Sequence, residues 1–160
     1  MRTIDAVELF AILKDLKLSG LNTVDRLKII KNLRALREVA DKYNNDIELA
    51  KEHFKSEDYD DLVMSMLESN EAVAAGGDRT VSDLKIASFN RMHEELNRSM
   101  RIFQVGIYDD EEKCFHGGLN DEPVEVTLET LTGSAFDKLL DTNKDVPAGA
   151  LAVLYDKIVK

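Results

Sequence analysis

The sequence predicts a mainly α protein: a long-helix bundle with heptad seams and a small α+β C-terminal subdomain. Three observations predict it. The stretch from Thr23 to Lys55 holds no proline and no glycine, and Ile29, Leu33, Leu36, Ala40, Tyr43, Ile47, Ala50 and Phe54 recur along it in alternating steps of four and three. That is the period of a helix laying one seam along a partner. A second seam runs through Ile86, Phe89, His93, Leu96, Met100 and Phe103. After Val105 the pattern changes to turn signals and two-residue alternation. The expected division is therefore a helical bundle over residues 1–105 and a small α+β subdomain over residues 106–160.

Taken in order, Ile4 to Leu18 reads as a first helix with a wide apolar face, ended by Ser19-Gly20. Asn22 or Thr23 caps the long helix. The short connection predicts an antiparallel hairpin of these two helices. At about 1.5 Å per residue the second spans roughly 50 Å, so it needs other long helices or another copy of itself beside it. Ser56-Glu57-Asp58 predicts a break and a fresh cap, and Tyr59, Leu62, Val63, Met66 and Leu67 the apolar side of a third helix. Gly76-Gly77 interrupts it. The fourth helix starts at Thr80 or Ser82, runs to about Gln104 and packs on the long helix. Val124, Val126 and Leu128, alternating with polar residues, predict a half-buried strand, partnered by Ile102–Tyr108 or by Cys114-Phe115. A short helix is expected over Ser134–Asp141, capped by Ser134. A last helix is expected over Ala148–Val159, with Pro147 near its first turn.

The 160 residues are 44% hydrophobic and 32% charged, a globular, helix-rich composition. No apolar run approaches the length of a membrane span. Acids at Asp5 and Glu8 break any signal-like start, and the single cysteine, Cys114, fits a reducing compartment. The expectation is a cytoplasmic protein without membrane contact. A net charge of -10 argues against general nucleic-acid binding. The charge is polarised: residues 1–37 hold eight Lys/Arg against four acids, and residues 38–160 hold thirteen against twenty-seven.

No set of acid, base, nucleophile and metal ligands converges by spacing, so an enzyme is not expected. Cys114 and His116 form one pair where a zinc site needs about four ligands, and the preferred reading is a small buried thiol beside a hairpin histidine. Asp141-x-Asn143-x-Asp145 opens like a calcium loop, but Val146 and Ala152 stand where it needs Gly and Glu. Gly133-Ser134-Ala135 lacks the flanks of a nucleophile elbow. His93, on an apolar seam, reads as a core histidine rather than a base. No cofactor or metal is expected. The candidate anion-binding residues are the basic face of the long helix, Arg26, Lys28, Lys31, Arg34 and Arg37, and the junction after Gly76-Gly77, Arg79, Thr80 and Ser82. Hydroxyls and free N–H groups at a helix start suit an anion. Arg26 falls on a seam position, and the plainer account is that the seam begins after it.

The run Leu13-Lys14-Asp15-Leu16-Lys17-Leu18-Ser19-Gly20, the basic helix start Arg26-Leu27-Lys28-Ile29-Ile30, Val124-Glu125-Val126-Thr127-Leu128 and Gly149-Ala150-Leu151-Ala152-Val153-Leu154-Tyr155 together resemble small tailed-phage and prophage proteins. These carry an N-terminal helical hairpin and a strand-plus-helix tail. The resemblance covers about half of the chain and brings no catalytic residues. It implies a non-catalytic phage accessory protein acting by binding, such as an anti-defence protein sequestering a host factor or a small anionic, nucleotide-like ligand. A structural or assembly part of the virion is the alternative, and a small enzyme the third. A homo-oligomer, a dimer first, is expected around the long helix.

Overall fold

The computed structural model describes residues 1–160 and is 67% helical. Six α-helices occur: α1 (Thr3–Lys14), α2 (Thr23–Phe54), α3 (Tyr59–Ala74), α4 (Asp83–Val105), α5 (Gly133–Thr142) and α6 (Ala148–Ile158). A two-stranded antiparallel sheet, β1 (Gly106–Asp109) and β2 (Cys114–Gly117), follows α4, and Leu119–Asp121 form a 3-10 turn. The chain is mainly α with a small α+β part, as its periodicity predicts. No helix is long and apolar enough to cross a membrane.

The contacts group the chain otherwise than a boundary at residue 105. One unit is Met1–Asn45 with Leu119–Lys160, and the other is Asp46–Gly118. The physical reason is where the C-terminal apolar residues bury themselves. Leu131, Phe136, Leu139, Leu154 and Ile158 share one core with Ala6, Leu9 and Leu13 of α1 and with Ile29 and Leu36 of α2. The nearest backbone neighbours of α1 are α6 and the 3-10 turn, so the expected pairing of α1 with α2 alone is too simple.

The first unit is completed by an extended strap, residues 122–131. Val124, Val126 and Leu128 do alternate toward the core, but they form no sheet; the expected partner segments pair with each other as β1 and β2. A strap without a ladder must satisfy its backbone elsewhere. The Glu122 carbonyl accepts from the Thr3 amide and hydroxyl, at 2.8 and 2.9 Å. Val124 exchanges bonds with Met1. Leu131 donates to Ile158 and accepts from Lys160. Between these anchors, Asn32 donates through Nδ2 to the Glu129 carbonyl (2.9 Å) and accepts the Glu129 amide on Oδ1 (2.7 Å). Asn32 is only 1% exposed.

The ends of the helices follow local chemistry. Asn22 caps α2, its Oδ1 accepting from the Asp25 amide. Thr132 caps α5, not Ser134, whose hydroxyl lies 3.2 Å from that of Thr132. Asp58 precedes α3 without a side-chain cap, against expectation. Ser82 caps α4 as expected, accepting from the Lys85 amide.

In the second unit α3 is the backbone neighbour of α4, and the tail of α2 meets α4 where Phe54 packs edge-on to Phe103. Buried apolar residues are few, chiefly Ala50, Tyr59, Val81 and Leu96.

Replacing Asn32 with Ala leaves the Glu129 amide and carbonyl without partners. The expected cost is about 1–3 kcal/mol, read as a lower urea midpoint at unchanged slope.

Candidate functional site

Helix α4 delivers two arginines to the edge of the hairpin. Arg98 and Arg101 lie one turn apart at the end of α4, and with Ile102, Gly106, Ile107, Tyr108 and Phe115 they line an open groove of about 690 Å³. That size lies within the range of small-molecule sites, roughly 300–1,000 Å³. Tyr108 and Phe115 are paired across the strands, their rings edge-to-face at 5.0 Å. The Arg101 guanidinium stands over the Phe115 ring, 5.5 Å from its centre, a cation–π contact. Ile102, Ile107 and Tyr108 leave large apolar surface in contact with water.

The turn from α4 into β1 fixes this arrangement. Gly106 has φ +92°, and a Cβ there would overlap the His116 carbonyl. A side chain at Gly118 would overlap the backbone of Gln104 to Gly106. Both positions need glycine because two backbone segments approach too closely for any Cβ.

The electrostatics of the unit sharpen the contrast. Residues 46–118 carry seventeen acids against eight Lys/Arg. Arg79 and Lys55 are taken up in ion pairs, with Asp83 and with Glu52 and Asp60. Arg98 and Arg101 form none, nor do Lys51, Lys85, Arg91 and Lys113, but of these six only Arg98 and Arg101 line the groove.

On the hairpin's other side the chain turns through its acidic loop. The Asp109 carboxylate accepts from the Glu111 and Glu112 amides, at 2.8 and 3.0 Å. These two bonds, with a smaller contribution from nearby His116, hold its pKa below the usual aspartate value. Lys113, at φ +55°, completes the turn. Glu112 is thereby carried back over Cys114 and His116, and one atom from each of the three lies within 4.8 Å of the other two. The thiol expected to be buried is half-exposed and belongs to this cluster.

None of the residues singled out by sequence lines the groove. Arg26 donates to the Leu21 and Ser19 carbonyls, so it closes the loop before α2. Lys28 pairs with Asp25, and Lys31 with Glu129 at 2.9 Å. Arg34 and Arg37 are exposed and form no ion pair. At the Gly76-Gly77 junction the Thr80 and Val81 amides already donate to the buried Ser69 hydroxyl. His93 is exposed rather than core, bonded through Nδ1 to the Tyr59 hydroxyl at 2.8 Å and stacked beside Phe89. Asn143, in the calcium-like run, is buried and clamps the Lys17 amide and carbonyl.

Sequence reasoning missed Arg98, Arg101, Tyr108 and Phe115. The available signal was an Arg-x-x-Arg pair ending a helix just before an aromatic hairpin. The chain matches no family model, no curated protein and no solved structure.

Because the Asp109 pKa is lowered in the folded chain, its contribution to the loop is present above the usual aspartate value near 3.8 and is lost as pH falls through the lower folded value. Protection of the Glu111 and Glu112 amides, read as exchange relative to an unstructured peptide at the same pH, is expected to persist at mildly acidic pH and to be lost only below that value.

Proposed function

We propose that this is a non-catalytic binding protein whose groove at the end of α4 holds a small anionic ligand with a flat aromatic part, nucleotide-like in chemistry. One observation carries the reading. In an acidic unit, Arg98 and Arg101 keep their guanidiniums free of carboxylates and line an apolar, aromatic groove. A planar ring can lie on Tyr108 or Phe115, and a phosphate can take the paired guanidinium donors. The resemblance to tailed-phage accessory proteins supplies a setting, sequestration of a host signal in the cytoplasm.

The test is calorimetric titration of the protein with mono- and cyclic nucleotides. The expected result is saturable binding to at least one of them, weakened about tenfold or more in Arg98→Ala and in Arg101→Ala, since hydrogen bonds to charged groups each contribute roughly 1.5–3 kcal/mol. No saturation by any nucleotide, or binding indifferent to both variants, removes the reading.

A second copy of the chain is the proposed protein partner. The α2 face opposite its core exposes Val24, Leu27 and Ile30, and the unpaired Arg34 and Arg37 continue along it. The second unit exposes Leu49, Met64, Leu67 and Leu84 among its acids. Each copy thus offers exposed apolar residues beside charges of both signs, which a second copy can cover in an isologous contact. Sedimentation equilibrium at micromolar concentration is expected to give a dimer that high salt loosens modestly. A single species at monomer mass excludes it.

A further inference from the structure

We propose that Glu112, Cys114 and His116 form a three-ligand site for a divalent, zinc-like metal ion. The argument rests on where three ligand atoms point. The Cys114 Sγ is 3.0 Å from the His116 Nε2, the Glu112 Oε2 is 2.9 Å from the same nitrogen, and sulfur and oxygen are 3.8 Å apart. A single imidazole nitrogen has one proton or one lone pair to offer, so it cannot bond both neighbours well. A cation among the three satisfies all of them at once. The separations need to open only slightly to admit an ion with metal–ligand distances of about 2.0–2.3 Å.

The fold builds the cluster from short-range rules. Cys114 and His116 are two apart on β2 and share one face of the hairpin. Phe115 and its cross-strand partner Tyr108 take the opposite face, so the metal site is separate from the ring pair of the groove. Glu112 arrives through the turn that Asp109 ties down by its two amide bonds. Asp109 is thus a positioning residue for a ligand, the role outer-shell groups play around metals. The surrounding charge helps: Asp109, Asp110 and Glu111 neighbour the site within a unit of seventeen acids and eight Lys/Arg. A field of that sign concentrates cations.

The ligand types indicate the metal. A thiolate and an imidazole favour zinc and its borderline-soft relatives over magnesium or calcium, which take oxygen ligands. Three protein ligands leave a fourth tetrahedral position for water or an incoming group. Binding would also fasten the loop before β2 to the strand.

The experiment uses the full chain, kept reduced with a phosphine and titrated with Zn²⁺ and separately with Co²⁺. The expected result is one metal per chain, and a cobalt complex with intense visible bands and thiolate-to-metal absorption. Cys114→Ser abolishes that absorption, while Glu112→Gln and His116→Ala each weaken zinc binding by about tenfold or more. Circular dichroism checks that these exposed variants still fold. The wild-type cobalt spectrum decides independently of any variant, because a bound ion without thiolate absorption excludes Cys114 as a ligand. Absence of saturable binding, or a spectrum unchanged in Cys114→Ser, overturns the proposal.

Discussion

The first unit depends on an extended strap being held where no sheet exists to hold it. Asn32 does this from the buried face of α2. Its side-chain amide offers one donor and one acceptor, the pair a neighbouring strand would present to Glu129. Without it, the midpoint of the strap would carry two unpaired backbone groups near an apolar core, a cost comparable to a lost hydrogen bond for each. With it, Val124, Val126 and Leu128 can settle on the core while their polar neighbours face outward. The exposed Lys31–Glu129 ion pair adds little beside this.

Asn143 repeats the device at the other end of the same core. Its Oδ1 accepts from the Lys17 amide, and its Nδ2 donates to the carbonyls of Lys17 and Leu139. The loop after α1 is thus tied to the end of α5. No buried side-chain polar atom of the protein lacks a partner, so these polar insertions do not burden the core with unmet hydrogen bonds.

The second unit is governed by a different constraint, close backbone approach. Gly106 and Gly118 let the chain leave α4 and return with strands touching, which places Tyr108 and Phe115 beside Arg98 and Arg101. The same tight hairpin returns Glu112 over Cys114 and His116. Its buried apolar residues are few and its exposed ones many, so less of its surface is committed to holding the fold.

By itself the sequence determined what depends on periodicity and local capping. The α2 seam, with Ile29, Leu36 and Ala40 buried, the Ser82 cap, the last helix and the alternation at Val124 to Leu128 were all legible, because each follows from neighbours within a turn or two. Only the tertiary structure decided what the strap pairs with, since a polar Asn32 on a helix gives no sign of the backbone it will meet ninety-seven residues away. It alone decided that Arg26 is spent on loop carbonyls while Arg98 and Arg101 stay free, because charge counts do not say which cation finds a partner. And it alone decided the third member of the Cys114–His116 pair, since Glu112 reaches them through a left-handed turn at Lys113, and an acidic run in sequence carries no direction in space.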